Sequence, residues 1–217
     1  GICWSKVRCM TVCWLDWAFR TVLIVGLPAA VALFILAEPI LSTLFQYGEF
    51  SQQDVTMSAL SLRAYSGGLL AFMLIKVLAP GYFARQDTKT PVKIAIKTMA
   101  INMVLNLILI WPLAHAGLAL ATSLSALLNA GLLFWGLKKS GIYTASRGWL
   151  RYGCQLGAAL LVMSTVLILQ FPELDNWFEM TVWERVTGLA ILVVSGAGSY
   201  FVVLVILGIR LRHFRQH

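Results

Sequence analysis

The residues in this chain that could do chemistry are polar side chains set inside long apolar stretches. Arg63 and Lys76 are two cations within a single apolar run. At membrane depth such groups are costly, and they usually face the interior of a helix bundle or a water-filled cavity. Both are therefore candidate contacts for an anionic substrate. The alternative is that their long stems extend to the lipid headgroups at either end of the helix.

A second candidate set consists of amide and hydroxyl groups in the next two apolar runs. Its members are Asn102, Asn106, Thr122 and Asn129. Asn102 and Asn106 are four residues apart, so they share one face of a helix. Hard cations prefer oxygen ligands, and the set therefore predicts a small cation site. Hydrogen bonding between neighbouring helices is the alternative interpretation.

The sequence does not contain the further groups that catalysis would need beside these residues. The three histidines are His115, His213 and His217, and the four cysteines form no metal-ligand set with them. The sequence contains no glycine-rich phosphate loop, no nucleophile elbow and no HExxH motif. We therefore expect neither an enzyme nor a bound cofactor.

The apolar runs must position these polar groups, and their lengths define the fold class. Hydrophobic residues make up 59% of the chain and charged residues only 12%, which exceeds the apolar content of soluble domains. About 20 apolar residues are needed for a helix to cross a bilayer. The sequence thus predicts an all-α integral membrane protein, a bundle of about six transmembrane helices. The predicted spans are approximately Trp17–Phe45, Val55–Ala84, Val92–Pro112, Gly117–Leu137, Tyr152–Phe171 and Glu184–Ile209.

Charge predicts the orientation of these spans. If the first span runs outward, nearly all Lys and Arg residues in the loops and near the span ends fall on the inner side, and only Arg185 falls on the outer side. The positive-inside rule then places the C-terminus in the cytoplasm. Basic loops facing anionic lipid account for the net charge of +8, so membrane lipids rather than nucleic acid are the expected partners. Four tryptophans near span ends are predicted to lie at the membrane interface: Trp111, Trp149, Trp177 and Trp183.

Several strings are more specific than composition and resemble the MurJ (MviN) family. They run through most of the chain from Asp16 onward, whereas the first residues do not match. The strings are Leu27–Leu33, Leu44–Phe50, Lys76–Phe83, Arg85–Lys93, Pro112–Leu118 and Val205–Gly208.

The resemblance implies a lipid II flippase of the MOP exporter superfamily in the bacterial inner membrane. Such a protein moves the undecaprenyl-linked peptidoglycan precursor to the periplasmic leaflet by alternating access. The chain resembles the C-terminal portion of the family fold and does not include the family's essential cavity arginines. The resemblance therefore implies that the missing N-terminal half is a partner and that the chain alone is inactive. The resemblance divides the chain into three segments. These are an atypical N-terminal stretch over 1–15, four spans that complete a MOP/MATE-like second lobe over 16–140, and two additional helices with a basic tail over 141–217.

Other functions remain open at this point. A different MOP-type exporter, carrying an O-antigen lipid or a drug, would share the helix count, and a membrane fragment that transports nothing would share the composition. For a transporter, a monovalent cation and the membrane potential are the alternative sources of energy coupling.

Overall fold

The computed structural model describes residues 2–45, 51–84, 86–140, 148–171, 177 and 180–208, with side chains from Trp14 onward. All regular structure in these ranges is helical. The helices are α1 (Ile2–Ile35), α2 (Ala37–Phe45), α3 (Gln52–Phe83), α4 (Lys89–Lys139), α5 (Trp149–Leu169) and α6 (Val182–Ile206). The basic C-terminal tail lies outside the described residues.

Proline explains how the first predicted span is divided. A proline ring clashes with the carbonyl four residues earlier, and α1 ends at Ile35, four residues before Pro39. Pro28 lies inside α1 without ending it. The carbonyl that Pro28 deprives of a helical donor belongs to Ile24, and it accepts a hydrogen bond of 2.8 Å from the Tyr200 hydroxyl on α6. The bundle thus satisfies the polar group that the proline frees.

The longest helix contains two of the predicted spans. α4 has 51 residues, which would make a straight helix about 75 Å long, far more than a bilayer needs. Ala114 has non-helical angles, φ 45° and ψ −122°. The chain reverses there so sharply that a Cβ on Gly117 would overlap the carbonyl oxygen of Leu109. The third and fourth predicted spans are therefore the two arms of α4, 89–113 and 115–139, and the break lies at Ala114 rather than at the following residues.

Contacts between helices give the direction of each. Phe34 on α1 meets Arg63 on α3, and Leu15 meets Gly81, so α1 and α3 are antiparallel. In contrast, the Ser123 hydroxyl bonds to the Ala64 carbonyl while Tyr82 bonds to Leu133. The second arm of α4 therefore runs in the same direction as α3, and the first arm, which links them in sequence, must run in the opposite direction.

The last two helices form a separate hairpin on the other side of α1. Gln155 donates to the Leu207 carbonyl, whereas Gly196 packs against Leu167, so α5 and α6 are antiparallel. Tyr152 of α5 bonds to the Arg20 carbonyl of α1. One apolar core lies among α1, α2, α5 and α6, and another lies among α1, α3 and α4. The first helix is thus the wall shared by both cores.

This topology separates the described charges into two ends. One end, near residue 14 of α1, carries Arg20, Lys89, Lys93, Lys97, Lys138, Lys139 and Arg151 together with Asp16 and Asp87; we call it the basic end. The opposite end, where α1 meets α2, carries Glu38, Asp54 and Glu184 together with Arg63 and Arg185; we call it the acidic end. Helix contacts thus place most of the described Lys and Arg residues at one end and three of the five described acidic residues at the other.

The predicted tryptophan anchors divide into two groups. Trp111 and Trp183 are among the most exposed side chains, as interfacial anchoring requires. The prediction is wrong for Trp177, which is only 2% exposed and packs on Gly188. Trp149 is half-buried, and its indole donates to Asp16 on α1.

Candidate functional site

Arg63 lies in the part of α3 near the acidic end and forms an ion pair that was not predicted from the sequence. Its Nη1 is 3.1 Å from Oε1 of Glu38 in the first turn of α2. Its Nε donates to the Phe34 carbonyl in the last turn of α1 at 3.3 Å. Carbonyls in the last turn of a helix lack helical donors. Arg63 therefore joins the two sides of the break that Pro39 makes, and we call this arrangement the Arg63 clamp.

The two halves of the clamp differ in accessibility. The Glu38 side chain is 11% exposed, whereas the Arg63 side chain is 30% exposed. A carboxylate directly before a proline within an apolar run was the available sequence signal for Glu38. Its partner is 25 residues away in sequence, so the pairing depends on tertiary packing.

Lys76 lies on a different part of α3 and does not join Arg63. Thirteen residues of helix separate them by about 20 Å along the axis. Lys76 is exposed and follows Phe72 by four residues, on the face where Phe72 stacks against Tyr65 with ring centroids 5.6 Å apart. The two cations are therefore separate positions along one helix.

The predicted amide set occupies the two arms of α4. Asn102 and Asn106 are partly buried on the first arm, and Asn129 is partly buried on the second. In each, Oδ1 is buried and has no hydrogen-bond partner among the residues that the structure describes. Buried polar atoms are normally paired because burial without a partner costs roughly 1–3 kcal/mol. These three oxygens are acceptors available for a further donor or a cation.

Thr122 differs from the asparagines because its hydroxyl bonds to Leu118 on its own helix at 2.9 Å. Asn106 and Thr122 are each eight residues from Ala114, so the reversal of α4 places them at similar depth. By the same count Asn129 lies about 5 Å farther from the reversal than Asn102.

A second polar cluster, not predicted from the sequence, lies at the basic end. Asp16 pairs with Arg20 at 3.1 Å, and the other Asp16 oxygen accepts the Trp149 indole at 2.8 Å. The Arg20 guanidinium lies 5.7 Å and 5.4 Å from the ring centroids of Trp149 and Tyr152. Cation–π contacts and a charge-assisted hydrogen bond thus attach α5 to α1.

These groups favour ion binding and helix attachment. In the part of the chain that the structure describes, no three His, Cys, Asp or Glu side chains are grouped to hold a metal. Arg63 can contact an anion bidentately, while the asparagine oxygens suit a hard cation. Five described helices are long and apolar enough to cross a membrane, one of them the reversed α4.

A protein-family model described as "Lipid II flippase MurJ" matches residues 12–188. The chain belongs to the MurJ family. Together with the apolar helices, this membership makes it a multi-pass protein of the bacterial inner membrane.

Curated MurJ relatives agree with this assignment. The chain is 44% identical over 201 residues to a probable lipid II flippase MurJ of Vibrio cholerae, covering 93% of this chain and 38% of the relative. It is 44% identical over 199 residues to a probable lipid II flippase MurJ of Haemophilus influenzae, and 41% identical over 204 residues to the lipid II flippase MurJ of Burkholderia cenocepacia. These matches cover 92% and 93% of this chain and 39% of each relative. The chain thus spans about two fifths of the length of these relatives.

A solved structure gives the same fold. "Lipid II flippase MurJ, inward closed conformation" aligns with a TM-score of 0.73 at 22% sequence identity, over 93% of this chain and 39% of that chain. The MurJ fold therefore accommodates the helix order described above, including the reversal in α4.

Proposed function

We propose that this chain is the part of a lipid II flippase that completes the second lobe over residues 16–140 and adds a final helix pair over 141–217. The observation that carries the proposal is the family match over residues 12–188, in a chain whose helices alternate in direction across the membrane. The basic end would face the cytoplasm, because Lys and Arg are retained on that side. The C-terminus would then also be cytoplasmic.

The substrate would be lipid II, an undecaprenyl-linked diphosphate sugar. Its anionic headgroup needs a wet cationic path, whereas its tail stays in lipid. Arg63 and Lys76, about 20 Å apart along α3, would contact the diphosphate at different stages of its passage. The membrane potential could contribute about 2.3 kcal/mol per charge per 100 mV. Alternating access needs two lobes around a central site, so another lobe of the transporter would be the partner.

A chimera tests this proposal with the whole transporter. This chain replaces the corresponding part of the Vibrio cholerae relative, and growth is measured in cells depleted of their own lipid II flippase. We expect the chimera to restore growth and this chain alone to leave the cells without growth. A chimera that reaches the membrane at a normal level but does not restore growth would contradict the proposal. Growth restored by the chain alone would contradict the need for a second lobe.

We also propose that Asn102, Asn106, Thr122 and Asn129 contribute to a site for a monovalent cation. Three buried amide oxygens without partners among the described residues support this proposal, since unpaired acceptors are costly unless something occupies them. Thr122 would coordinate through a lone pair of its hydroxyl oxygen, since donating its hydrogen to Leu118 leaves both lone pairs free.

Replacing Asn106 with leucine tests the cation proposal. In the chimera, Asn106→Leu should abolish the difference in lipid II transport between sodium and N-methylglucamine buffers, because the coordinating oxygen is lost. The matched control is Met103→Leu, at an exposed position of the same arm, which should keep the difference. Unchanged sodium dependence in Asn106→Leu would disprove the site.

A further inference from the structure

Glu38 is a buried carboxylate to which neither the family strings nor the residue spacing gave a role. Membrane proteins rarely retain such a group for packing, because a charged side chain at depth is costly unless paired. Its contact with Arg63 therefore requires an explanation beyond helix packing.

The Arg63 clamp leaves part of the guanidinium available. A guanidinium has five N–H donors in a fixed planar arrangement, and the clamp uses Nε for Phe34 and Nη1 for Glu38. Neither contact uses Nη2, and 30% of the Arg63 side chain is exposed. An incoming anion can thus reach Arg63 from its open side while Glu38, which is nearly buried, stays in place.

We propose that Glu38 is a positioning residue that holds Arg63 ready for the diphosphate group of the substrate. The proposal rests on the proposed function, in which Arg63 contacts that group. A free arginine side chain loses considerable rotamer freedom on binding, and fixing it beforehand lowers the entropy cost of recognition. Glu38 and Phe34 supply this fixation from the two sides of one helix break.

If Glu38 instead competed with the diphosphate for Arg63, its removal would change the binding affinity in the opposite direction. A carboxylate that competed with the diphosphate for Arg63 would weaken binding, so its removal would tighten it. A positioning carboxylate strengthens binding, so its removal weakens it. The Glu38 side chain is less exposed than that of Arg63, 11% against 30%, which favours positioning, because the diphosphate does not need to displace it.

The test uses the chimera described above as the parent chain, because the substrate site is proposed to lie between two lobes. It is placed in phosphatidylcholine nanodiscs with farnesyl diphosphate as the probe, and binding is measured by calorimetry below the unfolding midpoint of every variant. Glu38→Gln should weaken binding about fivefold, the effect of releasing one fixed side chain. Arg63→Gln should weaken it further. The matched control Asp54→Asn removes the same charge from the same end and should bind as the parent chain does.

Exchanging the charges of Glu38 and Arg63 distinguishes an effect on substrate positioning from an effect on folding stability. The double variant Glu38→Arg with Arg63→Glu can re-form the ion pair, so its unfolding midpoint should recover towards that of the parent chain. Its binding should not recover, because the arginine then occupies the buried position. Recovered binding, or binding by Glu38→Gln that equals or exceeds the parent's, would overturn the positioning role alone. Binding that is absent in the parent chain, or that does not depend on Arg63, would overturn the assignment of Arg63 itself.

Discussion

Replacing Gly68 with leucine is expected to separate α3 from the second arm of α4. A Cβ at this position would lie 2.7–2.9 Å from the Oγ, Cα and Cβ atoms of Ser123. One of these is a backbone atom and cannot rotate away. The substitution would also break the 2.7 Å hydrogen bond from Ser123 to the Ala64 carbonyl. We expect a loss of about 3 kcal/mol in unfolding free energy, measured by thermal or denaturant unfolding in nanodiscs.

The adjacent glycine provides the control for this prediction. A Cβ at Gly67 would meet no atom within 4 Å, so Gly67→Leu has the same change in volume, propensity and hydrophobicity without the clash. Equal destabilisation by both variants would show that helix propensity, and not the contact with Ser123, determines the effect.

Replacing Gly117 with alanine is expected to open the reversal in α4. The added methyl group would overlap the carbonyl oxygen of Leu109, which is held by its own helix. The two arms would have to separate, at a cost of about 2–3 kcal/mol from overpacking. Distance measurements between spin labels at Met103 and Leu127 should broaden and lengthen, and the unfolding midpoint should fall.

Gly131→Ala is the matched control on the second arm, because a Cβ there has open space. It should slightly raise stability, as alanine favours a helix over glycine. A Gly117→Ala variant that keeps the parent's label distances would refute the close approach of the two arms.

The sequence was sufficient to predict the membrane spans and the separation of charge. Bilayer thickness requires about 20 apolar residues per crossing, and this requirement is local. The break before Pro39 is local in the same way, since a proline affects the carbonyl four residues before it. The reversal at Ala114 lies between the predicted spans Val92–Pro112 and Gly117–Leu137.

Pairings between distant residues could not be predicted in this way. Glu38 and Arg63 meet only because α1 and α3 pack antiparallel around a helix break. Trp177 has an interfacial sequence position, but its neighbours bury it in the folded chain, and the pairing of Trp149 with Asp16 joins residues 133 positions apart. Small residues were equally ambiguous: Gly153 and Gly157 suggest a packing face, yet a Cβ on either would meet nothing within 4 Å in the described structure.

The hydrogen bond from Tyr200 to Ile24 sets a constraint on biosynthesis. The two residues are 176 positions apart, and ribosomes add about 5–20 residues per second. The first helix therefore enters the membrane roughly 10–35 s before the last helix can supply its hydroxyl. During that interval the Ile24 carbonyl needs a temporary donor, such as water at the insertion site or another protein. We expect the insertion machinery to retain α1 until synthesis of α6 is complete.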